Sequence, residues 1–199
     1  MNYPRTILNL IESFKKFPGI GEKTAERMAL STLEMEEENL NLFSKSLKDV
    51  KTKIKTCEKC GSLTEEAECE ICKDKSRDHS IICVVEECKN VILFEKIGSF
   101  RGIYHVLGGL ISPLEDINPE DIRINELIKR IEKEKIKEVI LAIKPSVEGE
   151  TTALYIQKLL EGKNVTVSKI AHGIPMGAEI DYIDPLTLEM AIEDRRQVS

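Results

Sequence analysis

Residues 57–72 read CEKCGSLTEEAECEIC, the most cysteine-dense stretch of the chain. Two Cys-x-x-Cys pairs, Cys57/Cys60 and Cys69/Cys72, are separated by eight residues. Each pair directs two thiolates at one point, and two such turns facing each other complete a closed tetrahedral site of the kind zinc prefers. Because four protein ligands leave no position for water, the pattern predicts a structural zinc ion. The alternative is a set of reactive or disulfide-paired cysteines.

The cysteine-dense segment lies in a chain of 199 residues with a net charge of −6. This length suits one large domain, or a compact core with small modules attached. No run approaches the roughly 20 apolar residues of a membrane span, and the first residues lack the continuous apolar stretch of a signal peptide. We therefore expect a soluble, cytoplasmic protein without membrane contact, whose cysteines are reduced or metal-bound.

Before the cysteines, residues 1–56 have the apolar spacing of three helices. The first helix follows Pro4 and ends at Pro18-Gly19, and the second follows Gly21. The third opens with acidic residues and carries apolar residues at spacings of three and four, namely Leu40, Phe43, Leu47, Val50 and Ile54. We expect the three apolar faces to pack together as a small bundle.

The turn between the first two helices, residues 17–25, reads FPGIGEKTA. Gly19 and Gly21 permit a tight turn and bring backbone N–H groups to the start of the next helix, where a phosphate oxygen is favoured. This pattern predicts the hairpin of a helix-hairpin-helix motif, which holds DNA by its backbone without distinguishing bases. Lys23 and Arg27, four residues apart, share one helix face beside it. An ordinary helix–helix turn is the alternative.

After the cysteines, strand and helix patterns alternate as in a parallel sheet covered on both faces. Apolar strands are predicted at 81–85, 103–107, 139–143 and 165–170. Helices are predicted at 91–97, 124–131 and 151–160, and a short one at 186–192. The fold class is therefore α/β, with a helical domain in front of the cysteines and a tail behind the sheet.

Acidic residues follow two of the predicted strands. Glu86 comes directly after the first strand, and Glu148 and Glu150 come after the third, in a segment opened by Lys144. Ligands of parallel sheets collect at the carboxyl ends of strands, and clustered carboxylates suit Mg²⁺. These residues are thus a candidate Mg²⁺ or partner site, the alternative being solvated loop acids. No Ser/His/Asp or Cys/His catalytic arrangement is visible, and His105, inside a strand, is expected to be a core residue.

The order of these motifs resembles that of the RecR family of bacterial recombination mediators. The resemblance covers essentially the whole chain and is carried by FPGIGEKTAERMA, the four cysteines, CVVEE, YHVLGGLISPLEDI, KPSVEGETTA and AHGIPMGAEIDYID. It implies a helix-hairpin-helix domain (1–56), a four-cysteine zinc finger (57–72), a Toprim parallel-sheet domain (79–175) and a C-terminal oligomerisation arm (176–199). It also implies a ring-like homotetramer that encircles DNA and acts with RecO and RecF to load RecA on gapped DNA coated with single-strand-binding protein.

The resemblance also implies roles for individual residues. The four cysteines become the zinc ligands, Lys23 and Arg27 face DNA, and Glu86 matches the first acid of Toprim domains. Glu148 and Glu150 stand where catalytic Toprim enzymes carry Asp-x-Asp, and this departure argues against cleavage or ligation. Lys144 replaces a common asparagine and Cys88 a common proline; Lys144 would compete with a metal or contact a phosphate.

The leading hypothesis is accordingly a non-enzymatic DNA-binding clamp and adaptor in recombinational repair. The main alternative is a Mg²⁺-dependent Toprim nuclease or primase-like enzyme, which needs several acids arranged around metal ions. A zinc-finger transcription regulator is disfavoured because no helix for recognising base edges is apparent.

The net acidity does not exclude DNA, because the charge is unevenly distributed. Residues 1–56 carry +2 and residues 57–199 carry −8. We therefore expect DNA to meet the N-terminal region and to avoid the remainder.

Overall fold

The computed structural model describes residues 3–171 and 173–195, and it divides into two compact units, Met1–Ile54 and Lys55–Ser199. The first unit contains α1 (Arg5–Lys15), α2 (Glu22–Ser31), a 3₁₀ turn (Thr32–Glu34) and α3 (Glu37–Lys53). The predicted order of three helices is confirmed. Helices α1 and α2 bury a small core between them, formed by Ile11, Phe14, Ala25 and Ala29.

The predicted bundle is wrong for α3. No residue of α3 is buried, and Leu40, Phe43, Leu47 and Val50 are 40–65% exposed. Ile54 lies just beyond the end of the helix. Helical spacing shows that an apolar face exists, but it does not show which surface covers that face.

The second unit is built on a four-stranded sheet. Its strands are β3 (Asp78–Val85), β4 (Gly102–Val106), β5 (Glu138–Ala142) and β6 (Thr166–Lys169), in the order β4-β3-β5-β6 and all parallel. The helices that follow the first three strands are α5 (Cys88–Ile97), α6 (Ile124–Glu134) and α7 (Val147–Leu160). This confirms the predicted parallel α/β sheet.

Alternating residues of the strands supply two separate cores. Ile82 and Val84 face the larger core with α6 and α7, whereas Cys83 and Val85 face a smaller one with Val91 of α5. Cys83, inside the apolar strand, is thus a core residue. Helix α7 begins four residues before the predicted 151, because the Ser146 hydroxyl caps its first turn by accepting a hydrogen bond from the Gly149 N–H.

The cysteine segment forms a small module against the sheet. It consists of the antiparallel pair β1 (Lys55–Thr56) and β2 (Leu63–Thr64), followed by the single turn of α4 (Glu70–Lys73). The Val106 N–H of strand β4 donates to the carbonyl of Cys60 at 2.7 Å. The module therefore covers the free side of an edge strand, which would otherwise expose unpaired backbone groups.

The tail contains a 3₁₀ turn (Ile180–Tyr182) and α8 (Pro185–Glu193), which confirms the predicted short helix. Asp184 caps α8 by accepting from the Thr187 N–H at 3.0 Å. The sequence His172-Gly173-Ile174-Pro175 predicts a structured turn after the last strand, but His172 lies outside the described residues. Across the described residues, no helix is long and apolar enough to cross a membrane.

Candidate functional site

The four cysteine thiols of residues 57–72 converge on one point. Their sulfur atoms all lie within 4.8 Å of one another, and all four side chains are buried. The Cys60–Cys69 and Cys57–Cys72 sulfur separations are 3.5 and 4.0 Å. A tetrahedral site with Zn–S bonds of about 2.3 Å separates its sulfurs by roughly 3.8 Å, so the cluster fits zinc.

Backbone groups around the cluster favour the thiolate form that zinc requires. The Cys69 N–H donates to the Cys57 sulfur at 3.3 Å, and the Ser62 N–H donates to the Cys60 sulfur at 3.4 Å. Such bonds stabilise negative sulfur, and they fix the two turns that present the thiols. With four protein ligands, the site would hold a structural zinc ion that orders the module.

Polar contacts attach this zinc-finger module to α6 and its preceding loop. Arg123 donates to the carbonyl of Glu58 at 3.3 Å, and the Lys59 ammonium lies 3.4 Å from Glu134. Gly61 adopts φ +79°, and a Cβ there would lie 2.9 Å from the Val106 carbonyl. Glycine is therefore required at this position both by the backbone conformation and by the close approach of the sheet.

His105 lies in β4, beneath the loop that leads into α6, and is fully buried. Its Nε2 lies 2.8 Å from the Arg123 carbonyl, so Nε2 carries the proton, because a carbonyl only accepts. Burial lowers the pKa of His105 to about 3, and the nearby Arg130 and Arg123 guanidinium groups add to that effect. The prediction of a core histidine is confirmed.

The glycine hairpin of the first unit has the geometry that its sequence predicts. Gly19 adopts φ +80°, and the Ile20 N–H donates to the Phe17 carbonyl at 3.1 Å to close the turn. Gly21 stands at the N-cap of α2, and no side chain caps that end of the helix. A Cβ at either glycine would meet open space. The start of α2 is thus open to an approaching anion.

Lys23 and Arg27 lie exposed in α2, beyond this hairpin. Their acidic neighbours are engaged elsewhere, since Glu22 pairs with Lys15 at 2.6 Å and Glu26 accepts the Tyr3 hydroxyl at 2.7 Å. Within residues 3–171 and 173–195, neither Lys23 nor Arg27 forms an ion pair. Both cations are therefore available for an external anion.

The predicted acidic crevice forms only in part. Glu86, Lys144 and Glu148 line one pocket at the carboxyl ends of the strands, together with Glu115. Glu115 lies in the motif YHVLGGLISPLEDI, but it was not predicted as a site residue. The Lys144 ammonium lies 3.4 Å from the Glu86 carboxylate. A hydrogen bond from the Ser146 hydroxyl, at 2.7 Å, lowers the pKa of Glu148.

Glu150 does not join these residues. It pairs with Lys169 and lines a different pocket, beside α8. Glu148 and Glu150 both lie in the first turn of α7, and residues two apart on a helix do not share a face. Within the described residues, the four cysteines are the only group of three or more Cys, His, Asp or Glu arranged to hold a metal ion. The expected convergence of Glu86, Glu148 and Glu150 is therefore not observed, since Glu150 lies apart from the other two.

The chain combines a glycine hairpin beside two exposed cations, a four-thiol zinc module, and a parallel sheet with an acidic crevice. These features define a modular helix-hairpin-helix, zinc-finger and Toprim protein. Comparison with family models matches residues 7–51 to the RecR helix-hairpin-helix, 54–74 to the RecR four-cysteine zinc-finger domain, 80–171 to the Toprim domain and 173–196 to the RecR C-terminal region. Recombination protein RecR of Enterococcus faecalis is 50% identical over 198 residues, covering all of both chains. The chain therefore belongs to the RecR family.

Proposed function

We propose that this protein is a DNA-binding clamp and adaptor in recombinational DNA repair. The observation that carries the proposal is the hairpin of the first unit. There an uncapped helix start lies beside two exposed cations, Lys23 and Arg27, which form no ion pair within the described residues. Backbone N–H groups and guanidinium or ammonium groups bind phosphates without distinguishing bases. DNA binding by this surface should therefore be independent of sequence.

Assembly of several copies would turn weak single contacts into a clamp. The exposed apolar face of α3 and the exposed apolar residues of α8, Leu186 and Ile192, offer surface that a homotetramer would bury. We propose a ring built through these terminal regions, with domain bounds of 1–56, 57–72, 79–175 and 176–199. Each hairpin would then add its phosphate contacts around one duplex.

As an adaptor, the protein would act with RecO and RecF to load RecA on gapped DNA coated with single-strand-binding protein. Glu86 and Glu148 would attract a basic partner such as RecO to the crevice, while Lys144 occupies the position next to Glu86. Replacing both glutamates by glutamine should weaken RecO binding and flatten its salt dependence. Unchanged binding across salt concentrations would remove this role from the crevice.

The proposed adaptor is not an enzyme. The separation of Glu150 from Glu86 and Glu148 supports this, because cleavage by Toprim enzymes needs several carboxylates around metal ions. Nuclease and primer-synthesis assays with Mg²⁺ or Mn²⁺ should show no turnover. Turnover abolished by Glu86→Gln would establish the alternative, a Mg²⁺-dependent Toprim enzyme.

The DNA surface is tested by Lys23→Ala and Arg27→Ala, with Lys48→Ala, an exposed lysine on α3, as the matched control. Lys23→Ala and Arg27→Ala should each remove about one phosphate interaction per subunit. The slope of log affinity against log salt should become shallower by roughly 0.9 for each phosphate that is no longer neutralised. The loss should be uniform across DNA sequences. An equal loss with Lys48→Ala, or a loss restricted to some sequences, would show that the wrong surface was chosen.

A further inference from the structure

A groove of about 700 Å³ separates the zinc-finger module from α5. Ile71 forms its floor and packs both on the cysteine cluster and on the smaller core that contains Val91. Leu63 of β2 and Ile92 of α5 line it from opposite sides, with 54% and 49% of each residue exposed. The groove therefore offers apolar surface on both walls and on its floor.

The rim of this groove is acidic. Residues 65–70 read EEAECE, and the lining includes four glutamates, Glu65, Glu66, Glu70 and Glu95, against one lysine, Lys96. Cys69 also lines the groove, and four thiolates with one Zn²⁺ would add a charge of about −2 on the side formed by the zinc-finger module. The groove thus combines apolar walls with a negative potential.

Part of this charge is balanced within the protein. Lys73 pairs with Glu66 and Glu70, and Arg77 pairs with Glu95. Glu65 has no ion-pair partner within the described residues and is exposed at the rim. The negative charge left over lies at the module's side of the groove, next to Leu63.

We propose that this groove docks a basic amphipathic helix of a partner protein. Its apolar residues would contact Leu63, Ile71 and Ile92, and its Lys or Arg residues would face the glutamates of the rim. DNA does not fit, because its phosphates would be repelled by the rim. The arm of a second copy fits poorly for the same reason, since residues 176–199 carry six acidic residues and two basic residues.

This proposal deepens the adaptor role, on which it rests, by adding a protein-docking surface that is separate from the hairpin. The test uses the full-length, zinc-loaded protein and a fluorescently labelled amphipathic peptide of lysine and leucine in helical register. One comparison peptide has glutamate in place of lysine, and another has serine in place of leucine. We expect only the lysine–leucine peptide to raise fluorescence anisotropy, with an affinity that falls as salt rises.

Two pairs of variants locate the binding. Ile92→Ser should weaken the peptide about fivefold, because it removes half-exposed apolar surface that the peptide buries. Ile97→Ser, on the same helix but outside the groove, should leave the affinity unchanged. Glu65→Lys should weaken peptide binding at least about threefold at low salt and little at high salt. Glu120→Lys, which changes an exposed acid outside the groove, should leave peptide binding unchanged at both salt concentrations.

Several results would overturn the proposal. Absence of peptide binding, or equal losses in Ile92→Ser and Ile97→Ser, would show that the groove is not a docking site. A lower solution mass of Ile92→Ser would show that a second copy covers the groove instead. DNA affinity measured on the same variants should stay at the wild-type level, so failure of this proposal is distinguishable from failure of the DNA clamp.

Discussion

Acidification should destabilise the sheet unit through His105, the buried histidine of β4. In the unfolded chain this imidazole has a pKa near 6.5, while burial lowers the pKa to about 3 in the folded state. The unfolded state therefore binds a proton at pH values where the folded state does not. The stabilisation that neutral His105 gives the folded state is complete above pH 6.5 and is lost as the pH falls toward 3. Between pH 7.5 and pH 5 the expected loss is about 2 kcal/mol.

The variant His105→Gln isolates this effect. A glutamine amide can still donate to the Arg123 carbonyl, which accepts from Nε2 at 2.8 Å, but it does not titrate. Protonation of zinc thiolates and of surface carboxylates is common to both proteins and cancels in the comparison. The pH dependence of His105→Gln should therefore be shallower than that of the wild type by about 2 kcal/mol at pH 5.

The assay is amide hydrogen exchange followed by mass spectrometry on peptides that span β4, with zinc content measured at each pH. This reports the unfolding free energy of the sheet unit itself and not that of the helical unit. Parallel stability curves for wild type and His105→Gln between pH 7.5 and pH 5 would contradict this prediction, because they would mean that His105 is as easily protonated in the folded state as in the unfolded state.

Two further predictions concern the other motifs. Gly19→Ala should destabilise the helical unit by about 1 kcal/mol in urea unfolding, because its φ is +80°. Gly21→Ser, at φ −85° and with open space for its Cβ, should not destabilise the unit, because serine is a preferred N-cap residue. Equal losses in the two variants would contradict the turn geometry. Cys69→Ser should abolish binding of one zinc ion per chain and expose the module to proteolysis. Cys88→Ser, outside the cluster, should keep the zinc. Zinc retained by Cys69→Ser would contradict the four-thiol site.

Local patterns in the sequence determined most of the architecture. The two Cys-x-x-Cys pairs predict the four-thiol cluster because ligand spacing is a local property. The alternation of apolar strands and amphipathic helices predicts the parallel sheet because a strand buried on both faces reads as a continuous apolar run, as at 81–85. The hairpin was predictable for the same reason, since its positive φ falls on Gly19.

Features that depend on tertiary packing were not predictable. The apolar spacing of α3 is indistinguishable from that of a core helix, yet the face carrying Phe43 and Leu47 is exposed.

The separation of Glu148 from Glu150 follows from the start of α7 at Val147, which the N-cap of Ser146 sets. That cap, three residues before Gly149, was the local signal that could have revealed it.

In the proposed clamp, several copies of this chain close around DNA and hold it through their hairpins. This assembly is tested by the solution mass, measured by sedimentation with and without duplex DNA. We expect an assembly of four times the 22.5 kDa chain mass that remains intact on DNA. The double variant with both Lys23→Ala and Arg27→Ala should assemble equally but release DNA at lower salt. A strict monomer that binds DNA unaided with undiminished affinity would contradict the proposed clamp.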